Sequence, residues 1–464
     1  RLLPFSSGFA PITASSSTFN RSEMEETSGM GKALLVLALC LSSMSPFCSA
    51  AFNKKQQQQV RPSSSRLPEP PSVDVGRRSS AVFPLYGNVY PDGLYFVSLS
   101  IGDPPKPYFL DVDTGSDLTW VQCDAPCVSC SKGPHPLYKP SKEKLVPCEH
   151  PICVSVQASM GSLFRADDGQ QEQPICESPG DQCDYEVEYA DHGSSRGVLV
   201  ADAFPVRFLN GSLLRPRLAF GCGYDQRLYG ADAPSPTDGV LGLGVGRSSV
   251  MSQLWEQGLT RNVMGHCLGR KGSGFLFFGD DLVPPSGVTW TPMPRHSSRK
   301  YYSPGPANLF LGKQLVSKDV EVIFDSGTSY TYFSSRPYEI LLHTMTKDLS
   351  GKPLKEAPED RTLPVCWRGA KPFRSVADAR KYFKSMTLSF PPGNRALLDI
   401  PPEGYLILTK YGNLCLGILN GTEVGLKDLN IIGDISVQDL MVVYDNENEQ
   451  IGWARANCDR LPKW

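Results

Sequence analysis

The sequence predicts an all-β or β-rich fold with a few short helices, divided into two lobes, and three observations lead there. Gly 42 and Pro 40 make 82 turn-forming residues dispersed along 464 positions, which suits short strands joined by tight turns better than a helical bundle. Apolar runs rich in β-branched and aromatic residues recur between those turns. The stretch VDTGSDLTW at 112–120 is echoed by FDSGTSYTY at 324–332, as if two halves of the chain shared one plan.

The amino-terminal segments are set aside before the fold. Residues 1–29 are read as leader sequence ahead of a start at Met24 or Met30. Residues 30–50 have the pattern of a secretory signal peptide: Lys32, the apolar run ALLVLALCL at 33–41, and Cys48-Ser49-Ala50 as a small-residue cleavage site. That run is shorter than the roughly 20 apolar residues that span a bilayer, so no membrane anchor is expected after cleavage. Residues 51–80 contain a Gln run, a Ser run and four prolines. They cannot build a core and are expected to be a propeptide or linker, with Arg77-Arg78 as a processing point.

Charge and cysteine usage narrow the class. Net charge is −2, with no basic block long enough to track phosphates, so nucleic acid is not an expected partner. Of 14 cysteines, 12 lie beyond the signal segment, an even set that an oxidising route converts to up to six disulfides. The spacing in CDAPCVSC at 123–130 also suits zinc, but no His motif accompanies it, so disulfides are the expectation and no metal is. Asn210-Gly211-Ser212 and Asn420-Gly421-Thr422 are acceptor patterns for N-glycosylation.

Along the chain, LYFVSLSIG (94–102) and PYFLDVDTG (107–115) flank a DPPK turn and predict a hairpin. Similar runs recur at CDYEVEYA, GVLVADAFPV, GFLFFGD, VEVIFDSG, YLILTK, CLGIL and LMVVYDNENEQIGWA. Helices are expected at 249–259 and 334–349. In the second, Ser335 can cap, Pro337 sits in the first turn, and Ile340, Leu341, Met345 and Leu349 share a face. The polar stretch 291–305 is placed between the lobes, with an N-terminal lobe over 81–295 and a C-terminal lobe over 296–464.

The echo carries the chemistry. Each copy holds an acid, a hydroxyl residue, a glycine and another hydroxyl residue after an apolar run, and each is followed later by an apolar-Gly element, GVLGLG at 239–244 and LNIIGD at 429–434. One such loop alone reads as an Asx-type turn. Two carboxylates brought together cannot both ionise readily, so the pair shares a proton, one acid serving as base and the other as acid. Gly115 and Gly327 permit a tight turn and close approach, and the flanking hydroxyls can orient the carboxyls.

On these residues the chain resembles the pepsin-like aspartic proteases, and closely the nucellin-like, atypical plant group, from about residue 82 to 458. The resemblance implies Asp113 and Asp325 as the catalytic pair, Thr114 and Ser326 as hydroxyls linking the two loops, and Ser116 and Thr328 as orienting the carboxylates. It implies YADHGSS at 189–195 as a flap with Tyr189 as the flap tyrosine and Trp120 bonded to it, with Gly115 and Gly327 beside the substrate. The ending IIGDISVQDLMVVYDNENEQIGWA is similar to the family's C-terminal signature. The chain departs from typical plant members in lacking an insert of about a hundred residues after the second acid loop. It also lacks an evident lysine-rich inhibitory segment in the short propeptide. The implied protein is a monomeric, secreted endopeptidase of the cell wall or vacuole, acting on proteins or peptides at acidic pH, preferring hydrophobic residues around the scissile bond and needing no cofactor.

Rival readings are weaker. A binding or inhibitor protein on the same fold would be expected to have a decayed acid pair, and both acids and both orienting hydroxyls are intact. Gly193-Ser194-Ser195-Arg196-Gly197 fits the G-x-S-x-G of serine hydrolases, but the next residues, VLVADAFPV, read as strand where a helix is required. None of the six histidines lies in H-E-x-x-H, and His266 beside Cys267 reads as structural. The Gly242-x-Gly244-x-Gly246 spacing is not the dinucleotide fingerprint.

Overall fold

The computed structural model describes residues 79–127, 130, 132–161, 178, 180–190, 193–227, 235–294, 300–391 and 396–460. The expected signal segment, and the expected propeptide apart from Ser79 and Ser80, lie outside them. Among the described residues there are 26 strands and four α-helices, so the dispersed Gly and Pro did mark strand turns. The first hairpin forms as expected, Leu94–Ile101 running antiparallel to Lys106–Asp113. Val97, Leu99 and Ile101 point into the core while Ser98 is exposed, the period-two alternation of a half-buried strand.

The echo in sequence is an echo in topology. Lys106–Asp113 pairs in parallel with Gly239–Gly242, which pairs antiparallel with Trp120–Gln122, which pairs in parallel with Arg217–Arg227. Gln314–Phe324 pairs in parallel with Asn430–Ile432, which pairs antiparallel with Thr331–Phe333, which pairs in parallel with Ile418–Asn420. The order and sense of the four strands are the same. In each copy the acid loop leaves the end of the first strand, and the apolar-Gly element lies beside it. Leu110, Val112, Leu241 and Leu243 bury one copy in the main core, and Val322, Phe324, Ile431 and Ile432 the other. Full burial of each such side chain contributes about 1.5–3 kcal/mol. The last strands, Leu440–Asp445 and Gln450–Arg455, return to pair with Val263–Leu268 and Thr289–Pro292, so the hydrogen bonding of the thirteen-stranded sheet joins the first and last strands among the described residues.

The helices depart from expectation in detail. Val250–Glu256 is capped by Ser249, whose Oγ accepts from Ser252 N at 3.2 Å. In Ser335–Leu349 the cap position is Ser334, not Ser335, and Ile340 is exposed. The buried stripe runs through Tyr338, Leu341, Met345 and Leu349, and the roughly 100° turn per residue carries Ile340 off it. Pro151–Gly161 and Asp434–Val437 are helices that the apolar periodicity did not announce, although Pro at a first helical position is a start signal.

Five disulfides join Cys123–Cys222, Cys127–Cys130, Cys153–Cys183, Cys267–Cys458 and Cys366–Cys415, and Cys148 is also disulfide-bonded. The thiols of 123–130 are therefore consumed in cross-links. Asn210 is exposed, whereas Asn420 is buried with its Nδ2 donating to Glu423 Oε1 at 2.9 Å. Of the two acceptor patterns, only the first is accessible in the fold. Among the described residues no helix is long and apolar enough to cross a membrane.

Candidate active site

Asp113 ends the strand Lys106–Asp113, and the chain turns back on its carboxylate. Gly115 N donates to Asp113 Oδ1 at 2.7 Å and Ser116 N to the same oxygen at 3.2 Å, while Ser116 Oγ donates to Oδ2. The second loop repeats the scheme. Gly327 N donates to Asp325 Oδ1 at 2.9 Å and Thr328 Oγ1 to Asp325 Oδ2 at 2.7 Å. Each carboxylate is thus oriented by its own loop, with its two oxygens held by different donors.

The loops then lock to each other. Thr114 N donates to Ser326 Oγ at 3.2 Å and Ser326 N to Thr114 Oγ1 at 3.0 Å. Each hydroxyl donates in turn to the opposite strand, Thr114 Oγ1 to Phe324 O at 3.1 Å and Ser326 Oγ to Val112 O at 2.8 Å. Thr114 and Ser326 are both buried, so each lost bond would leave an unsatisfied polar atom. The glycines face the opposite acid. A Cβ on Gly115 would lie 2.8 Å from Asp325 Oδ1, and one on Gly327 would lie 2.6 Å from Asp113 Oδ1. Any side chain there would drive the two acids apart, which is why both loops carry glycine.

Above this pair, the strands Asp184–Glu188 and Ser194–Ala203 form the arms of a hairpin, with Tyr189 N donating to Gly193 O at 2.7 Å. Asp191 and His192 of the expected flap lie outside the described residues. Trp120 Nε1 donates to Tyr189 Oη at 2.6 Å, tying the hairpin to the strand that follows the first acid loop. Asp113, Gly115, Ser116, Trp120, Tyr189 and Asp325 line one cleft, joined by Gly327 and Thr328, while Thr114 and Ser326 lie buried beneath. Every site residue expected from the sequence therefore gathers at one place.

Comparisons with known proteins identify the family. The family description "Xylanase inhibitor N-terminal" matches residues 95–280, and "Xylanase inhibitor C-terminal" matches 305–455. The chain is 46% identical over 396 residues to a rice (Oryza sativa subsp. japonica) protein named as an aspartic proteinase, covering 83% of this chain and 93% of the relative. It is 30% identical to Aspartic proteinase 36 of Arabidopsis thaliana, covering 81% of this chain and 77% of that one. The chain belongs to the plant pepsin-like aspartic proteases. It is by class an aspartic-type endopeptidase. Solved structures share the fold: soybean basic 7S globulin has a TM-score of 0.64 at 17% identity, covering 84% of this chain and all of its own. An aspartic proteinase from Irpex lacteus has a TM-score of 0.56 at 17% identity, covering 82% of this chain and 98% of its own.

The electrostatics of this protease site include two acids that sequence reasoning passed over. Burial, and then the Asp325 carboxylate beside it, push the Asp113 carboxyl well above the usual range. Asp434, the last residue of the second apolar-Gly element, is fully buried, and neither of its carboxyl oxygens has a hydrogen-bond partner among the described residues. Burial, then Asp111, Asp325 and Asp113, hold it far above the ordinary carboxylate range. Asp111 is buried and lines the cleft. Its signal was legible: strand alternation puts residue 111 on the same face as Asp113.

The rival motifs resolve structurally. Ser195 lies in the strand Ser194–Ala203, is fully buried, and its Oγ is 2.9 Å from Tyr185 Oη. His266 is buried against Tyr444, its ring nitrogen 3.1 Å from Oη, and burial lowers its pKa to about 4.

Proposed function

We propose that Asp113 and Asp325 hold a water molecule between them and use it to hydrolyse peptide bonds in protein or peptide substrates. One carboxylate takes the water's proton as it attacks the carbonyl carbon, and the other, protonated, hydrogen-bonds the carbonyl oxygen as it gains charge. The observation that carries this reading is the reciprocal one: each loop's glycine faces the other loop's carboxylate. Thr114 and Ser326 fix the spacing, Ser116 and Thr328 aim the outer oxygens, and Tyr189 with Trp120 covers the bound chain.

Acidic pH favours the reaction, because a pair that shares one proton loses its acid when both groups ionise. The raised pKa of Asp113 supports retention of that proton. Trp120, Val240 and Tyr189 give the cleft apolar surface suited to hydrophobic side chains near the scissile bond. The disulfides support passage through the secretory route to the cell wall or vacuole. Both acids come from one chain, so a monomer holds the complete pair, and the division near 295–296 falls between the two acid loops.

The test is hydrolysis of a denatured protein at about pH 4, with and without pepstatin, by the full chain matured through a secretory host, beside Asp113→Asn and Asp325→Asn. Cleavage abolished by either substitution is expected. A folded wild type that cleaves nothing would favour instead a binding role, the reading to which the xylanase-inhibitor description of its family points.

A further inference from the structure

The cleft is polar on one wall in a way that peptide hydrolysis does not require. Asp111 stands one strand repeat before Asp113 on the same face, roughly 7 Å along the strand from the reacting centre. It is 4% exposed and lines the cleft. Glu188, exposed at the end of the flap strand Asp184–Glu188, lines it from the rim. Asp238 lines it too, but both its oxygens are engaged: Oδ2 accepts from Phe109 N at 2.7 Å and lies 2.7 Å from His135 Nδ1, and Oδ1 accepts from His135 N at 2.9 Å. Asp238 is thereby committed to holding the wall together. No lysine or arginine is among the described residues lining the cleft.

A second, independent feature lies on the same wall. Gln226 is 1% exposed and lines the cleft, and its Nε2 has no hydrogen-bond partner among the described residues. A buried amide in that state has room for a polar partner, water or ligand, and rotation by 180° about its last bond presents the carbonyl oxygen as an acceptor. The opposite half of the cleft differs. The residue two before Asp325 is Ile323, buried and aliphatic. The negative charge is therefore one-sided.

We propose that Asp111, with Glu188 and Gln226, forms a subsite for a cationic substrate side chain, lysine or arginine, on one side of the scissile bond. This rests on the protease reading above and narrows it. The methylene stem of the basic residue lies along Trp120 and Val240, satisfying the apolar surface, and its charged head reaches the acids.

The experiment compares kcat/KM for peptides identical except at the two positions flanking the cleaved bond, carrying lysine, arginine, norleucine, leucine or glutamate. At one position only, lysine or arginine should exceed norleucine at least about tenfold, the scale of a close, desolvated charge pair. Comparison of lysine with arginine tells a point charge from a bidentate head. Asp111→Asn should bring that ratio near one, Glu188→Gln should lower it by less, and raised ionic strength should lower it in the wild type. If Asp111→Asn does not fold, the Glu188→Gln ratio and the salt dependence decide. A wild type that cleaves at leucine or norleucine in preference to lysine at both positions overturns the inference while the protease reading stands. A wild type that cuts neither these peptides nor a denatured protein overturns both.

Discussion

The two acid loops share almost every hydrogen bond and differ in what stands just outside them. Residue for residue, Asp113 and Asp325 are held by the same glycine N–H and hydroxyl, and Gly242 N and Gly433 N donate to equivalent threonines, Thr119 Oγ1 at 3.1 Å and Thr331 Oγ1 at 3.3 Å. Around this common frame the halves exchange an acid for an aliphatic. Asp111 corresponds to Ile323, and Leu243 to Asp434. Trp120 corresponds to Tyr332, which is buried, and only the first half carries the flap bond. The paired chemistry needs symmetry within hydrogen-bonding reach of the carboxylates and none beyond it. The residues farther out differ in charge.

The comparison breaks hardest at the acids themselves. Asp113→Asn and Asp325→Asn should each lower kcat/KM at least about a thousandfold, since either alone disables a shared-proton pair. A variant keeping more than about a tenth of wild-type activity would show that the loops are not equivalent. Next come Gly115→Ala and Gly327→Ala. Each places a methyl group under 3 Å from the opposite carboxylate, a clash of about 1–3 kcal/mol. Both should cost about tenfold or more in activity, with like shifts in urea midpoint; unequal losses would locate the softer loop.

Replacing Asp434 by its counterpart sharpens the contrast. Asp113 and Asp434 both have folded-state pKa values above those of the unfolded chain. Their contribution to stability is therefore full below about pH 4, where both states are protonated. It is lost as pH rises, because the unfolded chain releases protons that the folded one keeps. Wild-type urea midpoints should fall between pH 4 and pH 8. Asp434→Leu should flatten that fall and stabilise the protein at neutral pH by about 1–3 kcal/mol, the scale of removing a buried unsatisfied polar group. An unchanged pH profile would mean that Asp434 is not a source of the slope.

The cross-loop bonds predict an effect of the same order on stability. Thr114→Val and Ser326→Ala should each cost about 1–3 kcal/mol in denaturant unfolding, and the double variant should fall short of their sum because the two share partners. Smallest is Trp120→Phe, which removes the indole donor to Tyr189 together with part of a ring packed in the core. It should raise KM a few-fold, about 1 kcal/mol, with a loss of stability of about 1 kcal/mol from the vacated volume, and its donor has no parallel at Tyr332.

Much of this was legible in the residues. Acid, hydroxyl and glycine in matched order disclose the pair because each type has a local reason: a turn, a hydrogen bond, a close approach. Strand alternation disclosed the hairpin at 94–113 for the same reason, since it is set by near neighbours. Ser334 was passed over as cap in favour of Ser335 because both are serines and only the backbone tells them apart. Asn420 reads as a surface sequon until the fold buries it.

The sequence by itself determined the two loops, their order and the chemistry they can do, because those depend on contacts a few residues apart. Only the tertiary structure decided that Gly115 meets Asp325 and Gly327 meets Asp113, more than two hundred positions away. It also decided that Asp111 lines the cleft and that Asp434 is buried within electrostatic reach of Asp111 and both loop acids. A carboxylate's charge and partners depend on what folding brings beside it and on how much water folding removes, and neither quantity is local.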